Sequence, residues 1–263
     1  MIMNRILFKD TIKKYIKCRL FFYRIIYWIQ YAYYMMTKQP YFGPILNATQ
    51  CWPERYPIMH NLIRKELEKA KASYRILEIG TWAGHSATLW ASACKEKGKG
   101  RVFCIDTWGG SGNTPQLRNK TKRILNLFYH NIRVSGLENY IISIKGSSDL
   151  VAEILQPNTF DLVFIDGDHA YVQFKMDLSN YMKVVKTGGI ICGDDLELYP
   201  NEIDTSEAKK HCEEDFIFDT KSKKYFHPGV VLGISEIFGN NVSMKNGFWA
   251  MRRVKDGWES IIL

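Results

Sequence analysis

The feature that most constrains the fold is a regular alternation of short apolar runs with longer helical patterns, which begins near residue 75. This alternation predicts right-handed crossovers and an α/β fold, with a doubly wound, mostly parallel sheet and helices on both faces. The predicted strands are Arg75–Ile79, Arg101–Asp106, Tyr140–Lys145, Asp161–Asp166 and Gly189–Cys192. The predicted helices are Gly84–Lys97, Gln116–Gly136, Ser148–Leu155 and Tyr171–Val185, followed by a helix near Gly229–Phe238 and a strand near Phe248–Val254.

The positive charge of the chain is concentrated at its N-terminus. The 263 residues carry a formal net charge of +9, but residues 1–40 hold eight Lys and Arg residues against the single acid Asp10. The remaining residues hold 28 basic and 26 acidic side chains. Because phosphate binding needs clustered Lys and Arg, this nearly neutral body argues against a nucleic-acid partner.

Residues 5–36 form a basic and aromatic segment that predicts a helical extension. Leu20 to Met36 is almost wholly apolar or aromatic, but it is 17 residues long and contains Arg24, whereas a spanning helix needs about 20 apolar residues. A helix lying in a membrane surface fits better, with packing on the domain or on a second copy of the chain as the alternative. The expected location is the cytoplasm, with peripheral contact at the inner membrane face. Four residues at helical spacing form the basic stripe: Arg5, Lys9, Lys13 and Lys17.

The expected organisation is a helical extension (residues 1–40), a linker (41–57) and a single domain (58–263). Four prolines between residues 37 and 57 interrupt the helical periodicity. The six cysteines form no CxxC pair and no zinc spacing, which indicates a reducing compartment.

The turn after the first predicted strand reads Glu78-Ile79-Gly80-Thr81-Trp82-Ala83-Gly84-His85-Ser86. Its two glycines allow a sharp turn and close approach of a ligand to the start of the next helix. An acid before the first glycine suits a cofactor with a cationic amino group better than a pyrophosphate. Asp106 ends the second strand 26 residues after Gly80, where an acid can accept hydrogen bonds from a ribose diol. Ser147, after the third strand, either contacts an adenine or caps a helix.

Acidic residues close the fourth and fifth predicted strands. Asp166-Gly167-Asp168-His169 follows one apolar run, and Asp194-Asp195 follows the next. Neighbouring strands lie about 4.8 Å apart, so these carboxylates are expected to share a proton or a cation. Oxygen ligands favour Mg²⁺ or Mn²⁺ over zinc. The alternatives are that Asp168 and His169 are ordinary loop residues and that Asp194 or Asp195 caps a turn.

Several of these phrases resemble one family. EIGTWAGHSA, GSS at 146–148, FDLVFIDGDHAY at 160–171 and KTGGIICGDDLE at 186–197 are similar to class I S-adenosylmethionine-dependent O-methyltransferases. The likeness is strongest to the metal-dependent group that contains catechol O-methyltransferase and the macrocin and mycinamicin type of sugar O-methyltransferases. It covers about Pro57 to Val254 and implies a Rossmann-like sheet, while residues 1–40 have no counterpart in it.

The resemblance implies a role for each motif. His169 would be the general base, and Asp166, which takes part in catalysis, would bind Mg²⁺ or Mn²⁺ together with Asp194 and Asp195. The residues implied to bind S-adenosylmethionine are Glu78, Gly80, Thr81, Gly84, Ser86, Asp106, Thr107, Trp108 and Ser147.

The predicted function is metal-assisted methylation of a hydroxyl on a sugar, a glycoconjugate or another small hydroxylated metabolite. A divalent cation stabilises the alkoxide, and a histidine titrates near the working pH and can accept the proton. A cephalosporin hydroxylase-like oxidoreductase ranks lower, because an iron site prefers two histidines and only His169 lies in the cluster. Two further alternatives are a non-catalytic module, which would bind a membrane or a partner through residues 1–40, and an RNA methyltransferase. The sequence is also compatible with a homo-oligomer.

Overall fold

The computed structural model describes residues 25–43, 53–71, 73–109 and 121–263, without the side chains of residues 121 and 122. The chain divides into two compact units, residues 1–50 and 51–263. The predictions for residues 5–24 and for residues 116–120 of the predicted helix Gln116–Gly136 lie outside the described residues.

In the first unit, residues 25–36 form helix α1. Tyr41 is 3% exposed and packs edge-on against Tyr31 and Tyr34, with ring centroids 5.6 and 5.5 Å away. The exposed apolar side chains of α1 include a stripe at helical spacing, formed by Ile25, Ile29, Tyr33 and Met36. Among the described residues, no helix has the length and apolar character needed to cross a membrane.

The second unit alternates strands and helices. Its helices are α2 (Tyr56–Lys69), α3 (His85–Glu96), α4 (Thr121–Val134), α5 (Ser148–Ile154), α6 (Tyr171–Met182), α7 (Thr205–Lys210) and α8 (Pro228–Phe238). Its strands are β1 (Arg75–Ile79), β2 (Arg101–Asp106), β3 (Ile141–Lys145), β4 (Phe160–Ile165), β5 (Val185–Leu196), β6 (Ile217–Asp219), β7 (Lys224–Phe226), β8 (Ser243–Lys245), β9 (Gly247–Val254) and β10 (Gly257–Ser260).

Within the described ranges, the central sheet has the order β10-β9-β5-β4-β1-β2-β3, and β8 pairs with β9. Strands β1 to β5 are parallel, and β9 is antiparallel to β5. The strand order reverses between β1 and β4, which is the point where ligands bind in such sheets. The predicted doubly wound, mostly parallel fold is therefore confirmed.

The core lies on the central strands and beneath helices α6 and α8. Leu77, Val163 and Ile191 on adjacent strands are fully buried. Phe174 of α6 packs edge-on against Trp249 of β9, with ring centroids 6.4 Å apart. Burying each such side chain contributes about 1.5–3 kcal/mol, so this core fixes the strand ends on which the site is built.

Strand β5 is longer than the predicted Gly189–Cys192. It continues to Leu196, so Asp194 and Asp195 lie within the strand rather than after it. The pairing with β9 shifts between Gly193 and Leu196, and Asp195 has a φ of +67°. A bulge of this kind turns a residue that would otherwise point to the other face of the sheet.

Candidate active site

The glycine turn between β1 and α3 lies against the loop that follows β4. Gly80 has a φ of +86°, and a Cβ atom there would lie 1.9 Å from the carbonyl oxygen of Asp166. Gly84 has a φ of +85°, and its Cβ would meet the ring of Phe128 at 2.8 Å. Both positions therefore need glycine, because of the backbone conformation and because of the space.

Glu78 is fully buried beneath this turn. Its Oε1 accepts a hydrogen bond from Ser86 Oγ at 3.0 Å, and Oε2 has no hydrogen-bond partner in the described part of the chain. Burial raises the pKa of Glu78 to about 8. Ser86, which is also predicted to bind the cofactor, donates to Glu78, so the structure places these two predicted residues together.

Asp106 joins two loops at the end of β2. Its Oδ2 accepts the Trp82 backbone N–H at 2.7 Å, and its Oδ1 accepts that of Trp108 at 2.6 Å. The indole of Trp108 donates to the Trp82 carbonyl at 2.8 Å. An ionised carboxylate has about four acceptor positions, so Asp106 retains acceptor capacity for a ligand hydroxyl.

The remaining predicted cofactor residues lie at the same edge of the sheet. Thr107 follows Asp106, and its Oγ1 accepts the Gly109 N–H at 3.0 Å. Thr81 is buried within the glycine turn. Ser147 precedes α5 and makes no side-chain capping bond, so the capping role considered for it is not seen.

Two of the three acids predicted to bind a metal, Asp166 and Asp195, meet beyond β4 and β5 together with His169. Potential ligand atoms of Asp166, His169 and Asp195 all lie within 4.8 Å of one another. Asp194 is 7% exposed and Asp195 is 8% exposed. Asp168 accepts the Ala170 backbone N–H at 3.0 Å and so stabilises its own loop.

Asp194 is paired with Arg55, which the sequence reading placed in a linker. Arg55 Nη1 contacts Asp194 Oδ1 and lies 3.0 Å from Asp195 Oδ1, and Nε donates to the Asn246 carbonyl at 2.8 Å. The guanidinium is buried, at 4% exposure. No local sequence pattern predicts this contact, because Arg55 and Asp195 are 140 residues apart in sequence.

A second histidine completes the cluster. His169 Nε2 lies 2.9 Å from Asp195 Oδ2, and its Nδ1 lies 2.7 Å from Asp215 Oδ1. The ring of His227 is 4.5 Å from that of His169, and its Nδ1 is 2.9 Å from Glu197 Oε1. The expectation that only His169 lies in the cluster is therefore wrong. In the sequence, the His227-Pro228-Gly229 turn at the start of α8 was the feature that could have pointed to this second histidine.

The electrostatics show how strongly the cluster favours a cation. Burial and the charges of Asp194 and Asp195 raise the pKa of Asp166 well above its usual range. Burial raises the pKa of Asp194 to about 7. Burial alone would lower the pKa of His169, but its hydrogen bonds to Asp195 and Asp215 outweigh this effect and raise the pKa. The pKa values of Asp166 and Asp194 are both raised, which indicates that the Arg55 guanidinium does not offset all the negative charge of the cluster. The oxygen-rich set of donors in the cluster fits a divalent cation.

The residues of this site fall largely inside a recognised domain. Residues 77–196 match a family described as a methyltransferase domain. The match runs from β1 to β5 and includes the glycine turn, Asp106 and the acids of β4 and β5.

An uncharacterised protein of Acanthamoeba polyphaga mimivirus is 32% identical over 146 residues, which are 55% of this chain and 60% of the relative. The chain thus spans about 60% of the length of this curated relative. The solved O-methyltransferase NovP is 14% identical with a TM-score of 0.56, covering 79% of this chain and 82% of its own. An O-methyltransferase from Bacillus cereus, solved with SAH, is 18% identical with a TM-score of 0.43, covering 80% and 79%.

Residues 77–196 therefore match a methyltransferase domain, and the chain has the fold of the O-methyltransferase NovP. Both findings agree with the predicted class, the S-adenosylmethionine-dependent O-methyltransferases. S-adenosylmethionine remains the predicted cofactor.

Proposed function

We propose that this protein transfers a methyl group from S-adenosylmethionine to a hydroxyl of a sugar, a glycoconjugate or another small hydroxylated metabolite, with assistance from a divalent cation. The observation that carries this proposal is the contact between the Gly80 turn and the Asp166 backbone. It brings a cofactor loop and a cluster of acids and histidines together at the point where strand order reverses.

The cofactor side of the site supports this function through its unfilled polar groups. Glu78 Oε2 is buried and has no hydrogen-bond partner among the described residues, as is also true of Trp82 Nε1. A ligand ammonium would satisfy the carboxylate, and Asp106 would accept ribose hydroxyls. These groups would hold the cofactor at the strand ends, where it would supply the methyl group.

On the acceptor side, Asp166, Asp194 and Asp195 would hold Mg²⁺ or Mn²⁺. Such an ion, when bound, stabilises an acceptor alkoxide. His169 lies in this cluster, where its imidazole can take the hydroxyl proton. Asp215 Oδ1 lies 2.7 Å from Nδ1 and fixes the orientation of the ring, so that Nε2 is the nitrogen that would accept the proton.

Aromatic side chains beside the histidines support the acceptor class. The hairpin of β6 and β7 exposes about half of Phe216, Phe218 and Tyr225. Phe216 stacks on Tyr225, with ring centroids 5.3 Å apart, and lies 4.8 Å from the ring of His227. A flat apolar surface next to polar groups suits the apolar face of a sugar or an aromatic ring.

Calorimetric titration of the full chain with S-adenosylmethionine, with and without Mg²⁺, tests this function. We expect binding in both conditions, and Mg²⁺-dependent methyl transfer to members of a panel of nucleotide sugars and catechols. Asp194→Ala should remove the metal-dependent transfer and leave cofactor binding largely intact. Failure to bind S-adenosylmethionine in either condition would refute the proposal.

We propose further that residues 5–36 attach the protein to a membrane surface. The support is the exposed apolar stripe of α1, formed by Ile25, Ile29, Tyr33 and Met36, together with the basic residues that precede it in sequence. A second copy of the chain is the competing occupant of this surface.

A further inference from the structure

The guanidinium of Arg55 is enclosed by groups from distant parts of the chain. Arg55 immediately precedes helix α2, and its side chain contacts the end of β5 and the turn between β8 and β9. Nη1 faces Asp194 Oδ1 and Asp195 Oδ1, while Nη2 lies 3.8 Å from Glu197 Oε1. A buried cation held by several acceptors interacts with the charge of the site more strongly than an exposed surface charge does.

The two carboxylates that Arg55 contacts are also those that would hold the metal in the proposed function. A divalent cation of this type binds oxygen at about 2.0–2.1 Å. A guanidinium hydrogen-bonded to the same carboxylate would place a second positive charge within a few ångströms of the ion. Because like charges so close repel strongly away from bulk water, the two cations compete for Asp194 and Asp195.

We propose that Arg55 is a built-in competitor of the metal, and that it sets the affinity of this site for divalent cations. The proposal rests on the metal-assisted function above. Without a metal, the guanidinium offsets part of the negative charge of the buried pair of aspartates. A metal enters by displacing the guanidinium from Asp194 and Asp195, so that metal binding and the position of Arg55 are coupled.

The absence of a side chain at Gly247 leaves room for the guanidinium of Arg55. A Cβ atom at Gly247, where φ is +84°, would lie 2.5 Å from Arg55 Nη2 and 2.9 Å from Cζ. The far end of a long side chain moves more easily than backbone, so an alanine there would push the guanidinium aside. Gly188 provides a matched control, because its φ is +85° and a Cβ there would meet nothing within 4 Å.

Titration of the full chain with Mn²⁺, followed by electron paramagnetic resonance, tests this competition without any acceptor. We expect Arg55→Met to bind Mn²⁺ at least about tenfold more tightly than the wild type, because the competing charge is gone. Gly247→Ala should also tighten binding. Gly188→Ala should bind like the wild type.

Thermal unfolding provides a second measurement. Without metal, Arg55→Met should melt at a lower temperature, because it leaves buried carboxylates without a counter-ion, and Mn²⁺ should restore more of its stability than it adds to the wild type. Arg252→Met is the matched control. It breaks the pair in which Arg252 Nη2 lies 2.8 Å from Glu66 Oε1, and Mn²⁺ should not rescue it. If Arg55→Met does not fold, Arg55→Lys should show the same changes at smaller size.

Equal Mn²⁺ affinity in wild type, Arg55→Met and Gly247→Ala would overturn the competition, as would the absence of Mn²⁺ binding by all of them. S-adenosylmethionine titration of the same samples separates this result from the proposed function. Cofactor binding with unchanged Mn²⁺ affinity would remove the role of Arg55 alone. A wild type that binds no S-adenosylmethionine would remove the proposed function as well.

Discussion

A Cβ atom built on Gly80 would lie 1.9 Å from the carbonyl oxygen of Asp166, so that even one added carbon at Gly80 would overlap the Asp166 backbone. This contact fixes the separation between the cofactor turn and the acid cluster. The separation between these two parts of the site therefore depends on the absence of a side chain at one residue.

Gly80→Ala should destabilise the protein by at least about 2 kcal/mol, since it combines a positive φ with an overlap against backbone that cannot easily move. Urea unfolding measures the change. Gly98→Ala is the control, because Gly98 also has a positive φ, +65°, but open space around it, and should cost about 1 kcal/mol. Similar losses in the two variants would contradict the importance of the contact.

Cofactor affinity should rise with pH through neutrality. Burial raises the pKa of Glu78 to about 8, from an ordinary value of 4.5, so the carboxyl is largely protonated at pH 6 in the free protein. A cationic amino group favours the ionised form, and affinity should increase by at most about tenfold per pH unit until the pH passes 8. Calorimetry with S-adenosylmethionine at pH 6 and 8.5 measures this slope.

The same pKa predicts the stability of the free protein. Because the folded-state pKa of Glu78 is raised, its contribution is most favourable below pH 4.5 and is lost as the pH rises toward 8. Glu78→Gln should weaken cofactor binding and flatten both pH dependences. Glu66→Gln changes another buried glutamate, one paired with Arg252, and should leave cofactor affinity unchanged. If cofactor affinity still rises with pH in Glu78→Gln, a group other than Glu78 causes this dependence.

Replacing His169 should reduce turnover far more than cofactor affinity. Loss of a positioned general base typically costs about 10²–10⁴-fold in rate, so His169→Ala should show a fall of that order in kcat. Since its hydrogen bonds raise the pKa of His169, the rising limb of the pH–rate profile should lie above the usual histidine range. Asp215→Asn removes one of these bonds and should move that limb to lower pH. A profile that does not shift would remove His169 as the base.

The aromatic hairpin should affect acceptor binding alone. Phe216→Ala removes the ring that stacks on Tyr225 and borders His227, and should raise the KM for a turned-over hydroxylated acceptor without changing S-adenosylmethionine affinity. Ile154→Ala, an exposed residue at the end of α5, should change neither value. An unchanged KM in Phe216→Ala would place the acceptor elsewhere.

Co-sedimentation with vesicles containing anionic phosphatidylserine tests the attachment surface. The full chain should partition to the vesicles, less so at high salt, while residues 41–263 should stay in solution. Ile29→Glu places a charge on the exposed stripe of α1 and should weaken partitioning. Equal partitioning of the full chain and residues 41–263 would end the membrane proposal, and a change in molecular mass on truncation would favour a second copy instead.

Strands β1 to β4 could be predicted almost to the residue, because each is an apolar run closed by glycine or polar residues. β1 and β2 match their predicted bounds, and β4 differs by one residue at each end. The hairpin of β6 and β7, strands β8 and β10, and helix α7 were not predicted. These elements have only three to six residues each, too few for a periodic pattern to appear.

The site was predicted to the extent that its residues follow strands. Asp106 and Asp166 lie at strand ends, which the topology brings to one edge of the sheet. Arg55, by contrast, comes from a proline-containing segment, and its partners lie 140 residues away. The bulge that turns Asp195 was not predicted either, because Gly193-Asp194-Asp195 has the composition of a loop. Long-range ion pairs and local register shifts depend on packing that no short sequence window contains.

The two backbone N–H groups held by Asp106 fix the Trp82 turn and the Trp108 turn before any ligand arrives. The entropy of ordering these turns is therefore lost when the chain folds, not when it meets its cofactor. Recognition at this end of the sheet should be rigid, with a rate of association limited by encounter rather than by loop rearrangement. A single carboxylate thus makes the pocket preorganised.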